Sequence, residues 1–337
     1  MILALASGDD PCVELVRRAV LARGGELFAL DTGQFPTAAL LRLEPERWAE
    51  ARLGVGASSL SIGEVSAIWI RHFTPGAGLP TDLEPALDRA CRSQSSAALW
   101  ALVESLPVFT LDPPEVLLQA PLKPRQMQLA RAAGLDVPRT LLTNDPAAVR
   151  AFAALCPTGI VTKLVSSSLS VDGSDGREPI YTRRVEPGEL ASLEGLDLCP
   201  MLFQERVEKA LELRITVVGS QMFTAAVDPT TSALGADDWR RDRALLKSFR
   251  PYRDLPEAVG ARLFALLDRL GLDFATVDLI LTPDGRYVFL EVNTISFFSF
   301  VELATSLPIS GAVADLLLGR SAPRVERPAD LRRLAAE

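Results

Sequence analysis

Histidine is almost absent from this 337-residue sequence, which contains one, His72. Cysteine is sparse as well: Cys12, Cys91, Cys156 and Cys199 are scattered, and no two form a C-x-x-C pair. With no second His or Cys beside His72, the sequence argues against a zinc centre and against a disulfide framework. Long apolar runs are missing too. The stretch Leu99 to Val103 is cut by Glu104, far short of the ~20 residues that cross a bilayer. The N-terminus, Met1-Ile2-Leu3-Ala4-Leu5-Ala6, lacks a basic leading segment and a long apolar core. It reads as a buried first strand rather than a secretory signal, so a cytoplasmic protein without membrane attachment is expected. Positive charge is in deficit, with 35 Lys and Arg against 43 Asp and Glu and a net charge of -8. A general phosphate-backbone binder needs a dominant basic surface, so nucleic acid is not expected as a partner. What is present, 48% hydrophobic and 23% charged residues without low-complexity tracts, is enough for a large core and excludes disorder as the main state.

The length predicts about two domains, or three if one is small. From Met1 to about Thr110 short apolar runs alternate with helical stretches: a strand Ile2 to Leu5, a helix from Pro11 to Arg23, a strand Glu26 to Leu30. Val65 to Ile70 and Val108 to Leu111 read as further buried strands flanking a helix over Leu83 to Leu102. This is the grammar of a small doubly wound α/β domain. The Gly24-Gly25 pair follows a helix instead of opening one, so it is read as a helix stop and not as a dinucleotide fingerprint. Beyond Pro121 a helix over Pro124 to Ala133 leads to strands Thr140 to Leu142 and Ile160 to Val165. The last runs into Ser166-Ser167-Ser168 and Asp172-Gly173-Ser174-Asp175-Gly176, a small-residue loop that can close as a lid. Strands Met201 to Glu205, Glu212 to Val218 and Met222 to Val227 follow, then a helix over Pro256 to Leu270. A final hairpin pairs Ala275 to Leu281 with Tyr287 to Val292 across Pro283-Asp284-Gly285.

That hairpin carries the sharpest chemical signal. Asp278 lies on one strand, Glu291 and Asn293 on its partner. Antiparallel pairing brings Asp278 close to Glu291, and the period of two puts Glu291 and Asn293 on one face. Three hard oxygen ligands in otherwise apolar strands suit Mg²⁺ shared with nucleotide phosphates, and unpaired carboxylates there would be costly. Among 35 bases only four are lysines, Lys123, Lys163, Lys209 and Lys247. Lys163 ends a strand directly before the small-residue loop, where a compact ammonium meets phosphate. Lys123 opens a helix, and on spacing alone a phosphate contact and a solvated lysine are equally good readings. The strand end Gln204-Glu205-Arg206-Val207 offers backbone groups to a purine edge, and Glu212 can accept from ribose hydroxyls.

In this order the motifs resemble those of the ATP-grasp ligases, over nearly the whole chain. Ile68-Trp69-Ile70-Arg71, Asp136 to Pro146, Glu212 to Gly219 and Asp238-Trp239-Arg240 are similar to the branch that matures graspetides such as microviridins, ribosomally made peptides crosslinked by side-chain esters or amides. The chain departs after Asn293, where microviridin-type enzymes read Pro-x-Gly-Gln and this one reads Thr294-Ile295-Ser296-Phe297-Phe298. The resemblance implies an ATP-grasp fold of three parts: an N-terminal α/β pre-ATP-grasp domain over 1–115, a central subdomain with the phosphate lid over 116–200, and a C-terminal α+β subdomain with the nucleotide and Mg²⁺ site over 201–325. It implies ATP held by Lys123, Lys163, Gln204, Glu205, Val207 and Glu212, and Mg²⁺ held by Asp278, Glu291 and Asn293. Lys163 and Arg214 are then the catalytic cations, and Arg71, Arg214 and Arg240 grip the substrate. The substrate is a precursor peptide with a leader and an acidic core, crosslinked through an acyl phosphate with release of ADP. A homodimer is left open. The alternatives are a ligase joining free amino acids and a nucleotide-binding regulator without turnover.

Overall fold

The computed structural model describes residues 1–6, 8, 10–165, 170–173 and 176–325. The chain separates into two compact units.

Unit 1 comprises Met1–Val116, the short segment Val218–Gln221 and, of the described residues, 308–325. Its core is a four-stranded parallel sheet in the order Leu27–Asp31, Ile2–Ala6, Ala67–Ile70, Phe109–Leu111. The two inner strands are buried along their whole length, as expected where both faces of a parallel sheet are covered. The Pro11–Leu21 helix begins where Asp10 accepts from Cys12 N at 2.9 Å and Pro11 supplies the first helical φ. It buries Val13, Val16 and Val20 at helical spacing. The chain leaves it through Gly24, whose φ of +75° and hydrogen bond to Leu21 O mark a helix stop. Against this helix packs Ile309–Leu317, and Arg23 closes the pair with Nε and Nη2 on the two Asp315 oxygens at 2.7 and 3.0 Å. The last stretch of the expected C-terminal part is therefore in unit 1, because the apolar face of the Ile309–Leu317 helix is needed there. A three-stranded antiparallel sheet, Ala39–Arg42, Arg52–Val55 and Ser58–Ser61, completes the described strands of unit 1 and was not anticipated.

Unit 2 comprises Leu117–Val217 and Met222–Leu307. One antiparallel sheet runs Arg183–Arg184, Ile160–Lys163, Met201–Glu205, Thr140–Thr143. The second runs Arg250–Pro251, Gln221–Val227, Leu211–Val218, Phe274–Leu281, Tyr287–Asn293. Its last two strands form the expected hairpin, turned at Gly285 with φ +83°, and Asp278 stands directly opposite Glu291 with a bulge immediately after Asp278. The Glu257–Leu270 helix ends at Gly271 in the left-handed region. The stretch from Trp239 to Lys247 is not a continuous helix. It forms two 3-10 turns, Trp239–Arg241 and Arg243–Lys247, capped by the Asp238 and Asp242 side chains.

Candidate functional site: a charged cleft in unit 2

Unit 2 contains a cleft of about 720 Å³, its open, solvent-filled part included. Val161, Ile280 and Leu290 give it apolar walls, the strand end Gln204 to Val207 borders it, and Lys163, Lys209, Glu212, Arg240, Asp278 and Glu291 supply the charge. This strand end is held extended as Glu205 N donates to Arg139 O and Arg206 N to Gly159 O, both at 2.9 Å. Gln204 is buried between two neighbouring strands, and its side-chain amide donates to Thr140 Oγ1 at 3.1 Å. Its part in the cleft is thus the strand it belongs to.

The carboxylates are gathered by the hairpin. Asn293 Nδ2 donates to Asp278 Oδ2 at 2.9 Å and to Glu291 Oε1 at 3.3 Å, so all three share one face, as the period of two requires. Burial pushes the Asp278 carboxyl up to about 6, with Arg214 opposing the rise and Glu291 adding to it. Glu291 goes the other way: burial would raise it, but Lys163, Lys123 and Arg240 hold it below its ordinary value. Two facing carboxylates, one of them hard to ionise, call for added positive charge, and the oxygen donors fit a hard divalent cation. Among the described residues no group of three or more His, Cys, Asp or Glu side chains is assembled for a metal. The protein thus offers two carboxylates and an amide, the number suited to an ion that completes its shell with phosphate oxygens and water.

Opposite stand the cations. Lys123 sits 3.7 Å from Glu291 Oε2 and donates to Leu164 O at 3.1 Å. Its position follows from Gln126, one turn further along the Lys123–Ala132 helix. That buried side chain donates to Val292 O at 2.8 Å and accepts from Val292 N at 2.9 Å, tying the helix to the strand of Glu291. Burial holds the Lys163 ammonium below its ordinary value; Glu291 opposes this, and Lys123, Lys209 and Arg240 reinforce it. Lys209 bridges the cleft mouth, with Nζ 2.7 Å from Glu212 Oε1 and 2.7 Å from Asp237 O. Burial raises the Glu212 carboxyl and Lys209 counteracts it. Sequence reading gave neither Gln126 nor Lys209 a role, although the rarity of lysine was a usable signal for the second.

The arginines fall differently from expectation. Arg214 lies against Asp278 through Nη1 at 3.0 and 3.3 Å, gives Nη2 to Ser296 Oγ at 2.7 Å, and has its guanidinium 5.7 Å from the Trp239 ring and 5.6 Å from that of Phe300. Arg240 donates Nε and Nη2 to Asp238 at 2.8 and 2.6 Å, which raises its already high pKa against the effect of burial, and it faces the Tyr181 ring. Arg71, expected to face a substrate carboxylate, is instead fully buried in unit 1 with Nε on Asp10 Oδ2 at 2.9 Å. A buried guanidinium must be paired, and here the chain's own helix-capping carboxylate pairs it. The expected lid residues Ser166-Ser167-Ser168, with Ser174 and Asp175, lie outside the described residues.

Known proteins share this fold. The family model for the MvdD pre-ATP-grasp domain matches residues 1–117. No curated protein matches the chain. Among solved structures, macrocyclase MdnC from Microcystis aeruginosa MRC, bound with precursor peptide MdnA, is 35% identical with a TM-score of 0.85; the match covers 95% of this chain and 100% of that one. Macrocyclase MdnB from the same organism is 31% identical with a TM-score of 0.77 over 94% and 98% of the two chains. A RiPP-associated ATP-grasp ligase from Chryseobacterium gregarium, in complex with ADP and a leader and core peptide, is 26% identical with a TM-score of 0.89 over 97% and 98%. With a fold of this kind end to end, and with carboxylates facing cations in its cleft, the chain belongs to the ATP-grasp macrocyclases of ribosomally made peptides, the graspetide ligases.

Proposed function

We propose that this protein uses ATP to crosslink side chains of a ribosomally made precursor peptide with a leader and an acidic core, forming esters or amides and releasing ADP and phosphate. One observation carries the reading: Lys123, Lys163 and Arg240 converge on the Asp278 and Glu291 pair at the charged end of an apolar-walled cleft. A polyphosphate is the ligand that satisfies both halves, because its oxygens meet the ammonium groups and share a cation with the carboxylates.

The adenine ring would lie between Val161, Ile280 and Leu290 against the Glu205 to Val207 backbone, with Glu212 on the ribose hydroxyls. Lys123 and Lys163 hold the phosphate chain. Mg²⁺ bound by Asp278, Glu291 and Asn293 would neutralise charge developing on the phosphate oxygens. An oxygen of a substrate Asp or Glu carboxylate attacks the γ-phosphorus, the bond to the bridging oxygen breaks, and ADP leaves. Lys163, depressed by burial among cations, is stabilised in its charged form as negative charge gathers beside it. A peptide hydroxyl or amine then attacks the acyl carbon, the bond from that carbon to the phosphate oxygen breaks, and the nucleophile's proton leaves with the departing phosphate. Arg240 and Arg214 would hold the carboxylate and its phosphorylated form, exchanging Asp238 and Ser296 for the substrate oxygens. Positioning and electrostatics account for most of catalysis in such phosphoryl transfers.

The test is incubation with ATP, Mg²⁺ and the peptides encoded beside the gene, with peptide masses and nucleotides followed together. One ADP for each water mass lost from the peptide is the expected result. AMP with pyrophosphate, or ATP loss without peptide dehydration, overturns the reading.

A further inference from the structure

Arginine and carboxylate normally meet fork to fork, two parallel N–H groups on two oxygens. Arg214 and Asp278 do not. Nη1 alone straddles both Asp278 oxygens, at 3.0 and 3.3 Å, and Nη2 is turned away to Ser296 Oγ at 2.7 Å. Nε is buried and has no hydrogen-bond partner among the described residues. The rings of Trp239 and Phe300 border the guanidinium and offer Nη2 no strong acceptor. If the Ser296 hydroxyl were removed, the Asp278 carboxylate would be the nearest strong acceptor already in contact with the guanidinium. Arg214 would close the fork and saturate it.

We propose that Ser296 is a positioning residue that holds Arg214 off a bidentate pair with Asp278 and so keeps that carboxylate available to the divalent cation. The inference rests on Asp278 being a metal ligand in the function proposed above. Ser296 stands three residues after Asn293, in the segment Thr294 to Phe298 that follows the hairpin.

The experiment measures ADP affinity by calorimetry with and without Mn²⁺, and reads the gain in affinity that the metal confers. Ser296→Ala is expected to reduce that gain about tenfold, the worth of one hydrogen bond to a charged group. Its metal-free ADP affinity should stay within about twofold of wild type. Ser296→Thr, which keeps the hydroxyl, should retain the gain and also report that the segment still folds. In an Arg214→Met background Ser296→Ala should have no further effect, because the serine acts through the arginine. Asp278→Asn should lose the gain. If Asp278→Asn loses it and Ser296→Ala does not, or if the serine effect persists without Arg214, the inference is overturned while the metal assignment stands. If Asp278→Asn keeps the full gain, the metal assignment fails and the inference with it.

Discussion

Lys209 places its ammonium 2.7 Å from Glu212 Oε1, three residues further along the chain, in the charged cleft of unit 2. Burial raises the Glu212 carboxyl above its ordinary value and Lys209 opposes that rise. A protonated carboxyl accepts ribose hydroxyls poorly, so ADP affinity should fall as pH drops through the raised pKa of Glu212. Lys209→Met removes the opposing charge, so the fall should begin at higher pH. At neutral pH that variant should bind ADP about tenfold more weakly. Calorimetric titrations across the acid range check both statements, and a variant whose pH profile overlays wild type contradicts the assignment of Glu212.

Glu291 is kept ionised by Lys163 and Lys123 despite its burial. Glu291→Gln keeps the shape and removes the charge that the cation and both lysines face. Turnover should drop at least about a hundredfold, the scale of losing one electrostatic contact to the reacting centre. The circular dichroism spectrum should remain that of the folded protein. Product formation at the wild-type rate and at ordinary Mg²⁺ concentration would remove Glu291 from the metal site.

Asp238 accepts from Arg240 Nε, Nη2 and N and from Thr182 N. Burial alone would raise it, but these partners hold it below its ordinary value. A depressed carboxylate adds stability above its unfolded pKa, and that increment is lost as pH falls toward and through the folded one. Asp238→Asn should therefore cost about 2 kcal/mol at neutral pH. Its Tm should also depend less on pH than that of wild type between about pH 5 and pH 2. Equal slopes for the two proteins would show that Asp238 does not carry this linkage.

Arg243, Lys247, Arg250 and Arg253 are exposed beside the cleft-lining segment Ala236 to Arg240, and they suit an acidic or amphipathic leader. Precursor binding should weaken as salt rises from about 0.05 to about 0.5 M, because exposed charges are screened. Arg243→Glu with Lys247→Glu should raise the peptide Kd and leave ADP binding unchanged. A leaderless core peptide that reacts as fast as the full precursor would rule out this docking surface.

The hairpin of Asp278, Glu291 and Asn293 was legible because everything that fixes it is local: a period of two, a Pro-Asp-Gly turn, and oxygen ligands set in apolar strands. Lys163 was legible for a similar reason, as a rare residue at a strand end. Gln126 was not, since its meaning depends on Val292, 166 residues away, and a lone glutamine on a helix gives no hint of that partner. Arg71 misled because a strand-end arginine reads as available, whereas Asp10, 61 residues earlier, had already claimed it. The Ala39–Arg42, Arg52–Val55 and Ser58–Ser61 strands are four residues each, and Leu40 is exposed. So short a run carries too little alternation to announce a sheet.

The Ile309–Leu317 helix lies against Pro11–Leu21, and the Arg23 and Asp315 side chains join the two ends of unit 1 across 292 residues. On the ribosome this sets an order of events. Nearly all of unit 2 is synthesised before the final helix, whereas unit 1 waits for its last structural element. Until then the apolar face of Pro11–Leu21 lacks the helix that covers it, which makes the growing chain a client for holding chaperones. A premature stop before Pro308 would leave that nascent condition permanent, producing a protein lost to aggregation even though every residue of the charged cleft had been translated.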